Sequence, residues 1–90
     1  MINPYNNKNL LLKVRKKAKK IGVDVIPSTR KGKKLDVFKN GKKVASIGAI
    51  GYSDFNIHKD PKRRALYKKR HQKYRTRIGT PSYYADKILW

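Results

Sequence analysis

The sequence contains no cysteine and no glutamate, one tryptophan, and only five acids, all aspartates, against 25 lysines and arginines. Without cysteine there are no disulfides, no thiolate zinc sites and no thiol nucleophiles, and nothing hints at an oxidising compartment. No apolar run approaches the ~20 residues of a membrane span, and the opening Met-Ile-Asn-Pro is not a secretory leader. These absences predict a soluble protein kept inside a cell or a particle. The missing glutamates are the most telling. A solvated helix usually alternates Glu with Lys four residues apart and so neutralises itself. Here Lys13 to Lys20 and Lys62 to Arg77 contain no acid at all. A formal charge of +20 on 90 residues therefore points to a polyanionic partner: nucleic acid first, an acidic protein surface second.

The length allows one small domain, 1–90, and repulsion among unpaired cations erodes an already narrow stability margin. The fold expected is α+β. Residues 6–22 read as a basic helix, with Leu11, Val14, Ala18 and Ile21 at steps of three, four and three. Asn6 or Asn7 can cap its start, and Gly22 suits its end. Residues 23–50 read as a β-hairpin region. Val23 to Ile26 is a short strand, and Asn40-Gly41 between two alternating runs is the preferred type I′ hairpin turn. A regular register there sets Val37 against Val44 and Leu35 against Ser46. Glycines 48 and 51 punctuate the exit from the sheet without the spacing of a phosphate-binding loop, so close packing is their expected purpose.

Residues 51–90 read as a helical basic half. Asp60-Pro61 starts a long helix running to about Arg77, with Tyr67, His71, Tyr74 and Ile78 as its inward stripe. Thr80 or Ser82 caps a short last helix whose Tyr84, Ile88 and Leu89 face the core. The candidate polyanion contacts are Lys13, Lys16, Lys17, Lys20, Arg30, Lys31, Lys33, Lys34, Lys42, Lys43, Arg63, Arg64, Lys68, Lys69, Arg70, Lys73, Arg75 and Arg77. Trp90 is the candidate partner anchor.

Several elements of the second half also form a resemblance. Gly51-Tyr-Ser-Asp-Phe55, His58-Lys-Asp60, Arg63-Arg-Ala-Leu-Tyr-Lys-Lys-Arg-His71 and Tyr84-Ala-Asp-Lys-Ile-Leu-Trp90 resemble a family of small basic proteins. These are encoded by nucleocytoplasmic large DNA viruses, including algal viruses of the chlorovirus kind. The likeness spans roughly Lys33 to Trp90. It transfers no catalytic residues and implies a virion setting, within the host cell during infection.

His58 between Asp54 and Asp60 invites a metal or general-base reading, and Asp60-Pro-Lys62 satisfies a D-x-K string. A nuclease centre needs at least two acids converging on a metal, and Asp60 serves better as a helix cap. Asp54 and His58 are instead expected to hydrogen-bond each other, and His71 to bond Asp54 or Tyr74. Tyr5, Tyr52 and Tyr83 offer stacking faces without the aromatic pattern of a sequence-specific RNA reader. No enzyme, metal, cofactor or small-molecule substrate is called for. The expected function is a non-enzymatic, virion-associated protein binding viral DNA without strong sequence preference. The alternatives are a minor capsid or cement protein docking on acidic coat proteins, and a ribosome-like RNA binder.

Overall fold

A computed structural model describes residues 3–90; Met1 and Ile2, within the segment read as no leader, lie outside them. A 3₁₀ turn (Pro4–Asn6) leads into α1 (Lys8–Lys20), followed by β1 (Asp24–Pro27), β2 (Lys33–Lys39) and β3 (Lys42–Ala49). Three helices complete the chain: α2 (Phe55–His58), α3 (Pro61–Arg70) and α4 (Pro81–Ile88). The strands form one antiparallel sheet in the order β1-β2-β3. Helix α1 packs on β1, and α4 packs on β3 and α1. The α+β class and the order of elements are as the sequence predicts.

Local chemistry explains most boundaries. The Asn7 side chain accepts from the amides of Asn9 and Leu10, which opens α1. Gly22 closes that helix at φ +75°, a conformation that costs an L side chain strain. Val14 and Ala18 are buried while Leu11 and Ile21 pack at the margin of the core. Asn40 and Gly41 both have positive φ, as a type I′ turn requires.

The hairpin register departs from the regular one. Lys39 pairs with Lys42 and Phe38 with Lys43, but then Val37 pairs with Ala45 and Leu35 with Ile47. Val44 is the extra residue of a bulge and is 41% exposed. The slip is favourable twice over. It turns Ile47 inward where a regular register would turn in Ser46, and it sets Ser46 opposite Asp36, to whose carboxylate its hydroxyl donates at 2.8 Å. Val25, Leu35, Val37, Ala45 and Ile47 thereby share one buried face.

The long basic helix is shorter than the sequence predicts. It ends at Arg70, and residues 71–80 continue as irregular turns. Helices gain most of their stability from a packed apolar face, and no residue of α3 is fully buried. Tyr67 and His71 of the expected stripe are half-buried, but Tyr74 is 47% and Ile78 80% exposed. With no element of the described residues covering them, nothing rewards continuing a helix of like charges. Thr80 then caps α4 by accepting from the Tyr83 amide, with Pro81 at the first position. Tyr84, Ile88 and Leu89 enter the core as expected.

The bulge predicts opposite behaviour for neighbouring residues. Ile47→Ala should cost about 2–5 kcal/mol and Val44→Ala within about 0.5 kcal/mol, read by urea denaturation. A regular hairpin would make Val44→Ala the costly change.

Candidate polyanion interface

Charge in this fold is sorted by sign. Of the five aspartates, Asp36, Asp54 and Asp86 are buried, Asp60 caps α3 through the Lys62 amide at 2.9 Å, and Asp24 is exposed. Four of the five acids are thus turned inward or onto the backbone, and most cations face solvent.

Each buried acid has its own set of donors. Asp54 accepts from the Tyr5 hydroxyl with both oxygens at 2.9 Å and from Lys34 Nζ at 2.9 Å. Lys34 also donates to the Tyr52 carbonyl. Asn56 donates to Tyr5 Oη at 3.2 Å and to the Ile88 carbonyl at 2.9 Å, and accepts from Lys17 Nζ at 2.6 Å. Burial raises the Tyr5 phenol far above the ordinary tyrosine range; Asn56 counteracts this and Asp54 adds to it, so Tyr5 remains a donor. Asp36 accepts from Ser28 Oγ at 2.6 Å, Ser46 Oγ at 2.8 Å and the Thr29 amide at 3.4 Å, with Lys43 Nζ at 3.4 Å. Burial pushes its carboxyl upward, but these partners outweigh burial and hold it below the usual carboxylate range. Asp86 meets Lys68 at 2.9 Å and Arg75 at 3.6 Å.

Several of the predicted contacts must therefore be corrected. Lys34 is 2% exposed and is no surface contact. It lies across from Gly48, between the pairs Lys33–Ala49 and Leu35–Ile47, and the missing side chain there leaves room for its stem. Lys17 is half-buried and bonded to Asn56. Lys68 and Arg75 are committed to Asp86, and Lys43 leans toward Asp36 although its end stays accessible. The expected Asp54–His58 bond is absent. Asp54 faces Tyr5 and Lys34, while His58 Nδ1 accepts from the Asp60 amide at 2.9 Å and Nε2 is buried without a partner. The His71 imidazole bonds neither Asp54 nor Tyr74, although its carbonyl accepts from the Tyr74 amide at 2.9 Å; the ring stacks on Tyr67 with ring centres 4.3 Å apart. Trp90 is half-buried and lies nearly parallel to Tyr67 at 4.2 Å, so much of its ring is covered within the chain itself.

Lys13 is half-buried on α1, and some of the remaining candidates gather on three surfaces. The first is a hollow of about 260 Å³ between α1, α3 and α4, lined by Lys17, Lys20, Arg64, Lys68 and Lys87, with Asp86 in its wall. Burial and the charges of Lys13, Arg64 and Lys68 lower the Lys17 pKa, although Asp54 opposes them. An ammonium destabilised by like charges is one that an incoming anion would relieve. Lys87 belongs here and was missed, because its helix read as core. The second surface is the loop of Arg30, Lys31 and Lys33, which lines a hollow with Asn3, Asn6 and Ile50. The third is the hairpin tip, where Lys39 stands directly opposite Lys42. Lys16, Lys69, Lys73 and Arg77 are exposed beyond these, while Arg63 and Arg70 line a separate groove. Among the described residues no three His, Cys, Asp or Glu side chains gather as metal ligands, and no helix is long and apolar enough to cross a membrane.

Residues 23–71, just over half of the chain, match the model of a family of unknown function (DUF5754). The matched stretch runs from β1 to the end of α3 and includes Lys34, Asp54 and Asn56, but not Tyr5, Lys17 or α4. No curated protein and no solved structure matches the chain.

Two predictions follow from the buried acids. Lys34→Met should cost about 3–5 kcal/mol by stranding Asp54, and Lys34→Met with Asp54→Leu should recover much of the loss, measured as a double-mutant cycle by chemical denaturation. For Asp36, the folded pKa lies below the unfolded one, so its contribution is present above the unfolded carboxylate value of about 3.9. It is lost as pH falls through the lower, folded value. Asp36→Asn should flatten this part of the acid-unfolding curve.

Proposed function

The chain belongs to the DUF5754 family of unknown function, and from its charge distribution we propose that it is a non-enzymatic, virion-associated protein that binds viral DNA without strong sequence preference. The observation that carries this reading is the inward placement of the acids. Asp54 neutralises the buried Lys34, Asp86 takes up the part-buried Lys68 and Arg75, and Asp36 meets Lys43, so the other surface cations have no ion-paired acid among the described residues. A field built this way attracts phosphate at any sequence, because Lys and Arg on a backbone carry no base information. The virion setting comes from the resemblance of the second half to small basic proteins of large DNA viruses. A minor capsid role, with acidic coat proteins as partners, is favoured by one feature: Ile78 is 80% exposed among Arg75, Arg77 and Lys73.

Binding to two unrelated duplexes should be nearly equal, and log K should fall against log salt with a slope of about −0.9 per phosphate neutralised. With three basic surfaces, on the order of five or more such contacts are expected. A flat salt response would overturn DNA binding. Charge reversal should separate neighbours on α3. Lys69→Glu should weaken binding and keep the melting temperature, whereas Lys68→Glu should lower it by placing a second acid beside Asp86.

A further inference from the structure

One ring-lined hollow lies apart from the three basic surfaces. It is a groove of about 530 Å³ between the exit of β3 and α3, within the range that holds a small ligand. One wall is a single stripe of α3: Arg63, Leu66, Tyr67 and Arg70, at steps of three, one and three. The helix rise sets the two arginines about 10 Å apart along the axis, with the apolar pair between them. Neither arginine has an acidic partner among the described residues. Across the groove stands Tyr52, 76% exposed on a turn stapled by the Tyr52 amide to the Ala49 carbonyl and by Lys34 to the Tyr52 carbonyl. Asp54 lies at the floor, but it is 1% exposed and its oxygens are taken by Tyr5 and Lys34.

We infer that this groove captures an unpaired nucleotide of a single strand, the base stacking on Tyr52 and the flanking phosphates meeting Arg63 and Arg70. The inference rests on the polyanion reading above and narrows it. Cations alone suit any phosphate chain, but an exposed ring facing a cationic, ring-lined wall suits a base that has left its stack. Single-strand binders pair these two features, and stacking tolerates any base. A duplex hides its base faces and engages only the cations.

The test uses the full chain, an oligo-dT strand and a mixed-sequence duplex, at several salt concentrations. Trp90 is the only tryptophan and lines both this groove, beside Tyr67, and the first basic hollow, so its emission reports binding at either, and Tyr52→Ala separates the two. The emission change with oligo-dT should shrink in Tyr52→Ala, and any change with the duplex should be the same in Tyr52→Ala and the parent. Tyr52→Ala should keep the melting temperature, weaken oligo-dT binding about tenfold or more and leave duplex binding unchanged. Arg63→Gln with Arg70→Gln should reduce the oligo-dT salt slope by about 1.4. Equal affinities of Tyr52→Ala and the parent for oligo-dT, with duplex binding intact, would overturn the groove and leave the polyanion reading standing. Failure of both polymers to bind at low salt would overturn both.

Discussion

The carboxylate of Asp54 is the point on which the rest of the structure depends. It is buried, so it must be neutralised and fully hydrogen-bonded, and its partners come from distant parts of the chain. Tyr5 precedes α1, Lys34 is in β2, and Asn56 in α2 carries the network on to Lys17 in α1 and the Ile88 carbonyl in α4. One acid thereby joins both ends of the described chain to the sheet. The requirement reaches Gly48 as well. A Cβ there would lie 2.9 Å from Lys34 Cδ and 3.0 Å from Leu89 Cδ1, at a φ of +76°. The glycine lets the lysine stem pass.

A chain this basic must manage its own repulsion. With so few acids, each is worth most where water does not screen it, and three of them sit there. Interior acids hold the fold together and leave the exterior uncompensated. Stability and partner attraction thus draw on the same small set of aspartates. An anion lying along the outer cations would relieve the remaining repulsion, so binding and folding should reinforce each other.

The same buried network touches the proposed groove from beneath. Lys34 bonds the Tyr52 carbonyl while its charge meets Asp54, so the turn carrying the exposed ring is tied to the core. On the opposite wall, Tyr67 lies between two ring neighbours, Trp90 and His71. The rings on that side are thus ordered before any ligand arrives, which lowers the entropy cost of binding.

What the sequence determined by itself were features governed by neighbours in the chain. Asn7 and Asp60 as caps, Asn40-Gly41 as the turn, Gly22 as a helix end, and Val14, Ala18, Tyr84, Ile88 and Leu89 as core all follow from local geometry and periodicity. The overall excess of cations was equally legible, since composition does not depend on folding. Only the tertiary structure decided which cations remain outside. Lys33 and Lys34 are adjacent and chemically identical, yet one is partly exposed and the other is sealed against Asp54, because strand alternation and the gap at Gly48 distinguish them. The bulge at Val44 was hidden for the same reason: it is favoured by the joint burial of Ile47 and bonding of Ser46 to Asp36 across strands. The end of α3 at Arg70 was set by the exposure of Tyr74 and Ile78, which nothing among the described residues covers. Long-range pairing, not residue type, assigned each charge its role.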